Sequence, residues 1–215
     1  MRPIASVLCA AAVYPLLAAD VETQHALDVT LPVRPKLDLI LHSRIRIQPG
    51  GLGFYQFRAG PIVSWDPTPR ITLLSGYYYA QQERKIDSDF IGGHRLFGGA
   101  EIAVAETRRW AFDQRFLTER LLSDAAPDSN RYRLRSRLGA KTSIAPYTSH
   151  EFFFDAQGWR SNRHSAGIRW SPLPAIQFDL GYLYEHRRHG VGPDRHMWLT
   201  SIHFKKSSRR ADPDL

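Results

Sequence analysis

Between residues 131 and 138 every second residue is an arginine, and this is the spacing in the chain that bears most directly on chemistry. A guanidinium group carries a permanent positive charge and five N–H donors, so it binds carboxylates and small anions. Only an extended strand places all four on one side and the apolar residues Leu134 and Leu138 on the other. The spacing predicts a strand with one cationic face, formed by Arg131, Arg133, Arg135 and Arg137.

Nucleophilic catalysis would need a serine and a histidine close together near one rim of the fold. The chain has two such neighbours, His164 with Ser165 and His42 with Ser43. Adjacent residues of a strand point to opposite faces, so neither pair can act together. The sequence therefore favours a protein that is not an enzyme and predicts no catalytic residue, with a membrane-embedded lipid hydrolase or deacylase as the alternative.

The sequence contains only weak indications of a metal or cofactor site. The only cysteine, Cys9, lies near the N-terminus, so the usual thiolate ligands of structural zinc are missing. Three histidines flank one polar segment, His186, His189 and His196, and a solvated loop is the simpler interpretation. Glycine-rich pieces such as residues 50–53 lack the following helix that phosphate binding requires. We predict no metal and no cofactor.

Residues 1–19 have the pattern of a secretory signal peptide. Arg2 precedes an apolar run, and the segment ends at the pair Ala18–Ala19 before Asp20. An exported chain that has lost Cys9 has no disulfide, so it needs an apolar core, a partner or a bilayer. No run of eighteen apolar residues exists to form a membrane helix, which leaves a closed β-barrel as the other structure able to span a membrane.

The charge balance of the exported chain is basic, with 28 basic and 21 acidic side chains after removal of Arg2, a balance of +7. Basic proteins often bind nucleic acid or anionic lipid. Here the arginines are spread singly along extended segments, so we predict no nucleic-acid partner.

Period-two alternation recurs along most of the chain, in segments of about ten residues separated by turn residues, which is typical of a transmembrane β-barrel. We predict one all-β domain, a single antiparallel up-and-down barrel of ten strands, over residues 36–205. The polar segment 206–215 reads as a disordered tail. The predicted strands cover 36–48, 54–65, 70–82, 90–104, 108–121, 131–138, 150–158, 162–171, 176–185 and 196–205.

The strand count has an alternative of twelve. Residues 20–35 form an N-terminal segment in which Leu27, Val29, Leu31 and Val33 alternate, as in an additional strand. Its partner would have to be hidden in the glycine-rich fourth segment. A proline-containing turn over residues 145–148 is predicted to connect the sixth and seventh strands.

Aromatic residues distinguish a membrane barrel from a soluble one. On the predicted topology they gather at two heights, as the aromatic girdles of outer-membrane barrels do at the two interfaces. This predicts outer-membrane lipid as the surroundings and the cell outer membrane as the location. One girdle comprises Trp65, Trp110, Trp170, Phe178 and Phe204, and the other comprises Tyr55, Tyr77, Tyr79, Tyr132, Tyr184 and Trp198.

The arginines must then face the lumen, because a cation facing lipid at mid-bilayer costs about 2–4 kcal/mol. Unpaired cations in a dry interior are also costly, so acids are expected beside them. Hairpin registers predict the pairs Glu119 with Arg133, Asp155 with Arg135, and Glu151 with Arg169. The predicted lumen network comprises Arg44, Arg46, Arg58, Asp113, Arg115, Glu119, Arg131, Arg133, Arg135, Arg137, Glu151, Asp155, Arg163 and Arg169.

Such a lumen supports two functions, an electrostatic plug in a structural barrel or a constriction that passes a small anionic solute. A soluble periplasmic barrel that binds an apolar ligand is a further alternative. Conductance, lipid turnover and partition into the outer membrane distinguish these classes.

Five short segments, in this order, carry a resemblance to a known family: 115–120, 130–135, 150–154, 162–163 and 180–183. Together they resemble the bacterial family of unknown function DUF2490, over about residues 37–204. The resemblance implies an outer-membrane β-barrel. It implies no catalytic residue.

Overall fold

The period-two alternation builds one continuous sheet in the computed structural model, which describes residues 21–48, 53–83, 89–124 and 126–205. Within these residues eleven strands close into a barrel, and every strand pairs with its neighbours in the chain. None of these residues forms a helix long and apolar enough to cross a membrane. The strands are β1 (Val21–Arg34), β2 (Leu37–Ile47), β3 (Phe54–Thr68), β4 (Ile71–Glu83), β5 (Phe90–Glu106), β6 (Trp110–Ser123), β7 (Ser129–Ala140), β8 (Ile144–Asp155), β9 (Gly158–Leu173), β10 (Ile176–Arg187) and β11 (Arg195–Lys205).

The prediction of an all-β closed barrel is confirmed, but the count of ten strands is wrong. The N-terminal segment forms β1, which pairs antiparallel with β2 and parallel with β11. This parallel seam, Val21–Arg34 against Arg195–Lys205, closes the barrel and makes the number odd. The alternative of twelve fails as well, because the glycine-rich segment forms the single strand β5, with one irregularity between Ala103 and Ala105. The predicted signal peptide 1–19 and tail 206–215 lie outside the described residues.

The two ends of the barrel differ in their connections. At one end, the turn end, strands are joined by two or three residues, at 35–36, 69–70, 107–109, 141–143 and 174–175. At the other, the loop end, four of the five connections have five to seven residues, at 48–53, 84–89, 124–128 and 188–194. The exception at the loop end is 156–157, a tight hairpin in which Gly158 has the positive φ of 95° that favours glycine.

The predicted turn over residues 145–148 is wrong. Pro146 lies inside β8 opposite Ile168, and the connection from β7 is at 141–143. Strand β8 therefore begins earlier than predicted, which changes its register against β7. The β9 strand also begins earlier, at Gly158 instead of residue 162. Proline has no N–H to donate, and Pro146 lies just beyond Tyr147, where the pairing of β8 with β7 ends, so no ladder hydrogen bond to β7 is lost there.

A small apolar cluster fills part of the interior in the turn-end half. Tyr78, Phe97 and Leu117 are buried together, and the Tyr78 and Phe97 rings stack at 4.8 Å. A β-carbon at Gly76 would come within 2.4 Å of the Phe97 ring, so only glycine leaves room for it. The rest of the interior is dominated by charged groups.

The parallel seam gives a direct test of strand number. In the background Cys9→Ser, the pair Leu27→Cys and Ile202→Cys should form a disulfide on mild oxidation, because these residues are directly opposite in the β1–β11 register. Non-reducing gel electrophoresis of the refolded protein measures it. The matched control, Leu27→Cys with Phe204→Cys, is displaced by two positions and should cross-link poorly. Equal cross-linking of both pairs, or of neither, would contradict the eleven-stranded closure.

Candidate functional site

The polarity of the barrel is inverted relative to that of a soluble protein. Charged side chains are among its most buried groups, with Glu119 1% exposed and Arg46 and Glu185 each 3% exposed. Large apolar side chains such as Phe116, 51% exposed, and Leu180, 56% exposed, lie on the outer face. Because successive residues of a strand alternate between faces, the same pattern that exposes the apolar residues sends the charged ones inward.

Glu119 is the centre of the interior ion pairs. Its carboxylate accepts a hydrogen bond from Nη1 of Arg133 at 2.8 Å and one from Nε of Arg131 at 2.6 Å. Nη1 of Arg95 lies 3.9 Å away. The carboxylate is thus bound by three guanidinium groups from β5 and β7.

Glu151 forms the second anchor. Nη2 of Arg133 donates to its Oε1 at 2.7 Å, and Nη2 of Arg115 donates to the same oxygen at 3.3 Å. Arg133 therefore bridges Glu119 and Glu151 and links β6, β7 and β8. We call this Glu119–Arg133–Glu151 bridge the mid-lumen layer.

The Phe153 ring supports the mid-lumen layer from the loop side. It is 1% exposed, and three guanidinium carbons lie over it, those of Arg163 at 4.3 Å, Arg133 at 5.1 Å and Arg131 at 5.3 Å. The face of an aromatic ring attracts cations. One phenylalanine thus holds together three groups that would otherwise repel one another.

Towards the turn end, acids and histidines accompany the arginines. Nη2 of Arg135 donates to Glu101 at 2.7 Å and to Asp113 at 3.0 Å. Arg137 lies 4.8 Å above the Tyr147 ring. Nε of Arg169 donates to Asp179 at 3.2 Å.

Asp28 on β1 completes this end of the lumen. Its carboxylate contacts His42 at 2.6 Å and His203 at 3.0 Å. Arg58 donates from Nε to Nε2 of His42 at 3.1 Å. Strands β1, β2, β3 and β11 are therefore joined across the seam by side chains as well as by the backbone.

Towards the loop end the partners are fewer. Glu185 binds Arg163 at 3.1 Å and Arg187 at 3.3 Å. In the described part of the chain, the hydrogen-bond partners of Arg44 and Arg46 are neutral amides, since these arginines donate to Gln56 at 2.8 Å and to Gln24 at 3.0 Å.

Two interior cavities lie on either side of the mid-lumen layer. The loop-side cavity measures about 250 Å³ and is lined by residues of nine strands, including ten arginines. The turn-side cavity measures about 360 Å³ and is lined by Asp28, His42 and the apolar cluster. Both are bounded by Arg58 and Arg133. These two side chains, with buried Glu119, therefore separate the halves of the lumen.

The predicted ion pairs are corrected by the observed registers. Glu119 does bind Arg133, although Arg131 is the residue directly opposite it. Arg135 faces Glu151 instead of Asp155, because the β7–β8 turn precedes Pro146. Asp155 binds Arg160 at 3.1 Å, beside the 156–157 hairpin. The predicted pairing of Glu151 with Arg169 is also wrong, since Glu151 faces Arg163 and Arg169 faces Asp179.

One aromatic residue lies on the other face from its prediction. Tyr55 is 7% exposed and donates its hydroxyl hydrogen to Glu22 inside the barrel. The reason is a register irregularity between Arg46 and Ile47 in the β2–β3 pair, which breaks the alternation of β3.

The other residues of the two predicted girdles lie on the outward-facing positions of their strands. At the turn end Trp65, Trp110 and Trp170 are each close to half exposed, at 47–49%. Near the loop end Tyr77 bonds His94 at 2.6 Å, and Tyr132 is 42% exposed. The remaining members are Phe178 and Phe204 at the turn end, and Tyr79, Tyr184 and Trp198 nearer the loop end.

The serine and histidine neighbours do not assemble a catalytic group. Ser165 bonds Ser149 at 2.9 Å inside the barrel, whereas His164 stacks on His150 at 4.0 Å outside. Among the described residues no group of three or more His, Cys, Asp or Glu side chains could hold a metal ion.

At the loop end, the 188–194 connection is tied to β10. Asp194 accepts hydrogen bonds from His186, Tyr184 and the backbone N–H of Arg187, and these bonds hold the pKa of its carboxyl well below its usual range. His196 instead pairs with Tyr182 at 2.5 Å. Two of the histidines predicted to flank this loop, His186 and His196, therefore bond different partners.

Several lumen residues were missed by the sequence reasoning. Arg95 lies in the glycine-rich strand whose phase was ambiguous, although Phe97 two positions later shares its face. Glu185 alternates with Tyr182 and Tyr184 and could have been included on that signal. The others are Glu22, Asp28, His42, Glu101, Arg160, Asp179, Arg187, Arg195 and His203.

A closed β-barrel with a charged, mostly filled lumen is thus the class of protein that the fold and the interior define. The model of the family described as "Protein of unknown function (DUF2490)" matches residues 25–196. The chain belongs to this family, as its segments predicted. No curated protein matches the chain.

Glu119 provides a test of the mid-lumen layer. Glu119→Gln removes the carboxylate that Arg95 and Arg131 contact and leaves Arg133 with Glu151 alone. The free energy of unfolding should therefore fall by about 3–5 kcal/mol, as when one partner of a buried ion pair is removed. Urea unfolding of the refolded protein in detergent, followed by tryptophan fluorescence, measures this.

The matched control is Glu106→Gln, which removes a carboxylate whose side chain is 61% exposed from its ion pair with Lys141 at the turn end. Exposed ion pairs contribute little, so stability should hardly change. Similar losses in both variants would mean that Glu119 has no special role.

Proposed function

We propose that this protein is an integral β-barrel of the cell outer membrane, exported by the signal peptide over residues 1–19, whose lumen is occluded by ion pairs. The observation that carries the proposal is the inverted polarity: apolar side chains cover the outside while guanidinium and carboxylate groups pair inside. Outer-membrane lipid is then the partner of the outer face.

The exposed apolar surface supports this location. Soluble monomers rarely expose apolar patches larger than a few hundred Å², yet the outer face of this barrel carries large apolar side chains on every strand pair. They include Leu27, Leu41, Val63, Trp65, Leu73, Leu96, Ile102, Trp110, Phe116, Leu134, Leu138, Ile144, Ile168, Trp170, Leu180 and Phe204.

The orientation follows from the connections. Outer-membrane barrels have short periplasmic turns and longer extracellular loops. The turn end, with its tryptophans Trp65, Trp110 and Trp170, would then face the periplasm, and the loop end would face outward.

Occlusion follows from the mid-lumen layer. A permanent water-filled channel would leave the central side chains accessible, whereas Glu119 and Phe153 are each 1% exposed and Met197 is fully buried. The geometry therefore supports a structural or binding barrel ahead of an open pore. Passage of small anions is a second candidate, favoured by the basic loop-side cavity, and it requires the mid-lumen layer to open.

The membrane location is tested by a charge placed on the outer face. Phe116→Lys at the middle of β6 should lower stability in phospholipid vesicles by about 2–4 kcal/mol, and Ile144→Lys at the turn end by only about 0–1 kcal/mol, because the cost of a cation depends on its depth in the bilayer. Both residues are more than half exposed. Urea titrations of the two variants provide the measurement, and a soluble barrel would tolerate both substitutions equally.

A conductance measurement tests whether the lumen of the barrel is closed. The refolded protein in planar bilayers should show no long-lived current steps, because Arg58 on β3 and Arg133 on β7 lie between the two interior cavities and line both of them. Frequent steps with anion preference would favour the passage function instead. Turnover of labelled phospholipid or lipopolysaccharide would favour the hydrolase, and recovery in the soluble periplasmic fraction without heat-dependent gel mobility would refute the membrane location.

A further inference from the structure

We propose that the loop-side cavity is a binding site for a phosphoryl group, a tetrahedral oxyanion carrying about two negative charges. The inference depends on the interior of the barrel and not on its location in a membrane. Three observations on the cavity carry it: its surplus of positive charge, its unused hydrogen-bond donors, and its size.

The surplus of charge is specific to this half of the lumen. Ten arginines line the cavity, and within the described residues only five carboxylates bind any of them, those of Glu22, Glu119, Glu151, Asp155 and Glu185. Counted over the residues that the structure describes, the cavity has five positive charges in excess. Buried charges without counter-charges are costly, so an anion that enters is strongly favoured.

The excess positive charge is concentrated on β2 and β3. Arg44 is 9% exposed and Arg46 is 3% exposed, and their hydrogen-bond partners are the neutral amides of Gln56 and Gln24. Arg58 donates to His42 and lies over the Tyr78 ring. Among the described residues no carboxylate forms an ion pair with these three arginines, although Arg46 and Arg58 interact electrostatically with Glu185 and Glu119 over a longer distance.

The donors needed by an oxyanion are present. A guanidinium group has five N–H donors, and Arg44 uses one of them in its bond to Gln56. Arg46 and Arg58 likewise use one each, in their bonds to Gln24 and His42. Further arginines from β5, β7, β9, β10 and β11 line the same cavity, so guanidinium groups face it from most sides of the barrel. Arginine forks match the oxygens of phosphate, which can accept from several of them at once.

The dimensions agree with this ligand. A volume of about 250 Å³ holds a phosphoryl group with several waters, given about 30 Å³ for each water in the liquid. The cavity adjoins a second space of about 570 Å³ at the loop end, with which it shares Arg95, Arg187 and Arg195. A ligand larger than free phosphate could therefore place its phosphoryl group between the arginines and its remainder towards the loops.

The ligand could be free phosphate or the headgroup of a lipid, and both present the same chemistry. The full exported chain is refolded in detergent and titrated by calorimetry with inorganic phosphate, and separately with micelles containing phosphatidic acid. One-to-one binding of inorganic phosphate supports a soluble ligand. Binding of phosphatidic acid at least tenfold tighter supports a headgroup.

The decisive variant is Arg44→Gln with Arg46→Gln, and its matched control is Arg109→Gln, an exposed arginine in the turn at 107–109. The double variant should bind the phosphoryl ligand at least tenfold more weakly, whereas the control should bind it as the unaltered protein does. Without ligand, the double variant should melt at the same or a higher temperature, because removal of two unpaired cations relieves repulsion.

Three results would overturn the proposal. One is that neither ligand binds, and another is that the double variant binds as tightly as the control. The third is displacement by chloride at equal concentration, which would indicate a general attraction for anions. Each can occur with the barrel correctly inserted in a membrane, so failure here leaves the proposed location standing.

Discussion

The neutralisation of buried charge inside a closed sheet is the constraint on which this structure depends. Every strand must present one face to the interior, and here that face is rich in arginine. Arg133 is held between Glu119 and Glu151, and Phe153 holds three guanidinium groups together. Because each carboxylate serves arginines from more than one strand, these ion pairs also fix the relative positions of the strands.

The positive charges of the lumen arginines are neutralised unevenly along the barrel axis. In the turn-end half, Asp28 and Asp179 meet histidines and arginines at short distances. In the loop-end half, Arg44 and Arg46 donate to amides, and no carboxylate of the residues that the structure describes forms an ion pair with them. A lumen that served only to fill space would be expected to balance its charges throughout. The difference between the halves separates a structural part of the interior from one with capacity for a ligand.

Much of the fold could be predicted from the sequence because a period of two is a local signal. The inward face of the arginine strand β7 followed from it, whereas the family was predicted from the resemblance of five short segments. The number of strands could not be predicted in this way, because β1 pairs with β11, which lies far along the chain. Registers failed where a turn was misplaced around Pro146, which shifted every pair of that hairpin. Tyr55 was misassigned because an irregularity in pairing leaves no mark on residue type.

The parallel seam also constrains the order of assembly. His25 and Thr200, which are bonded across it, are separated by 175 positions in the chain, so the entropic cost of bringing them together is among the largest in the protein. Each of the other pairings joins consecutive strands and can form as a hairpin. Closure of the seam is therefore expected to be the last event of folding. Until then, the backbone groups along one side of the first strand are an open edge, able to accept a strand from another molecule.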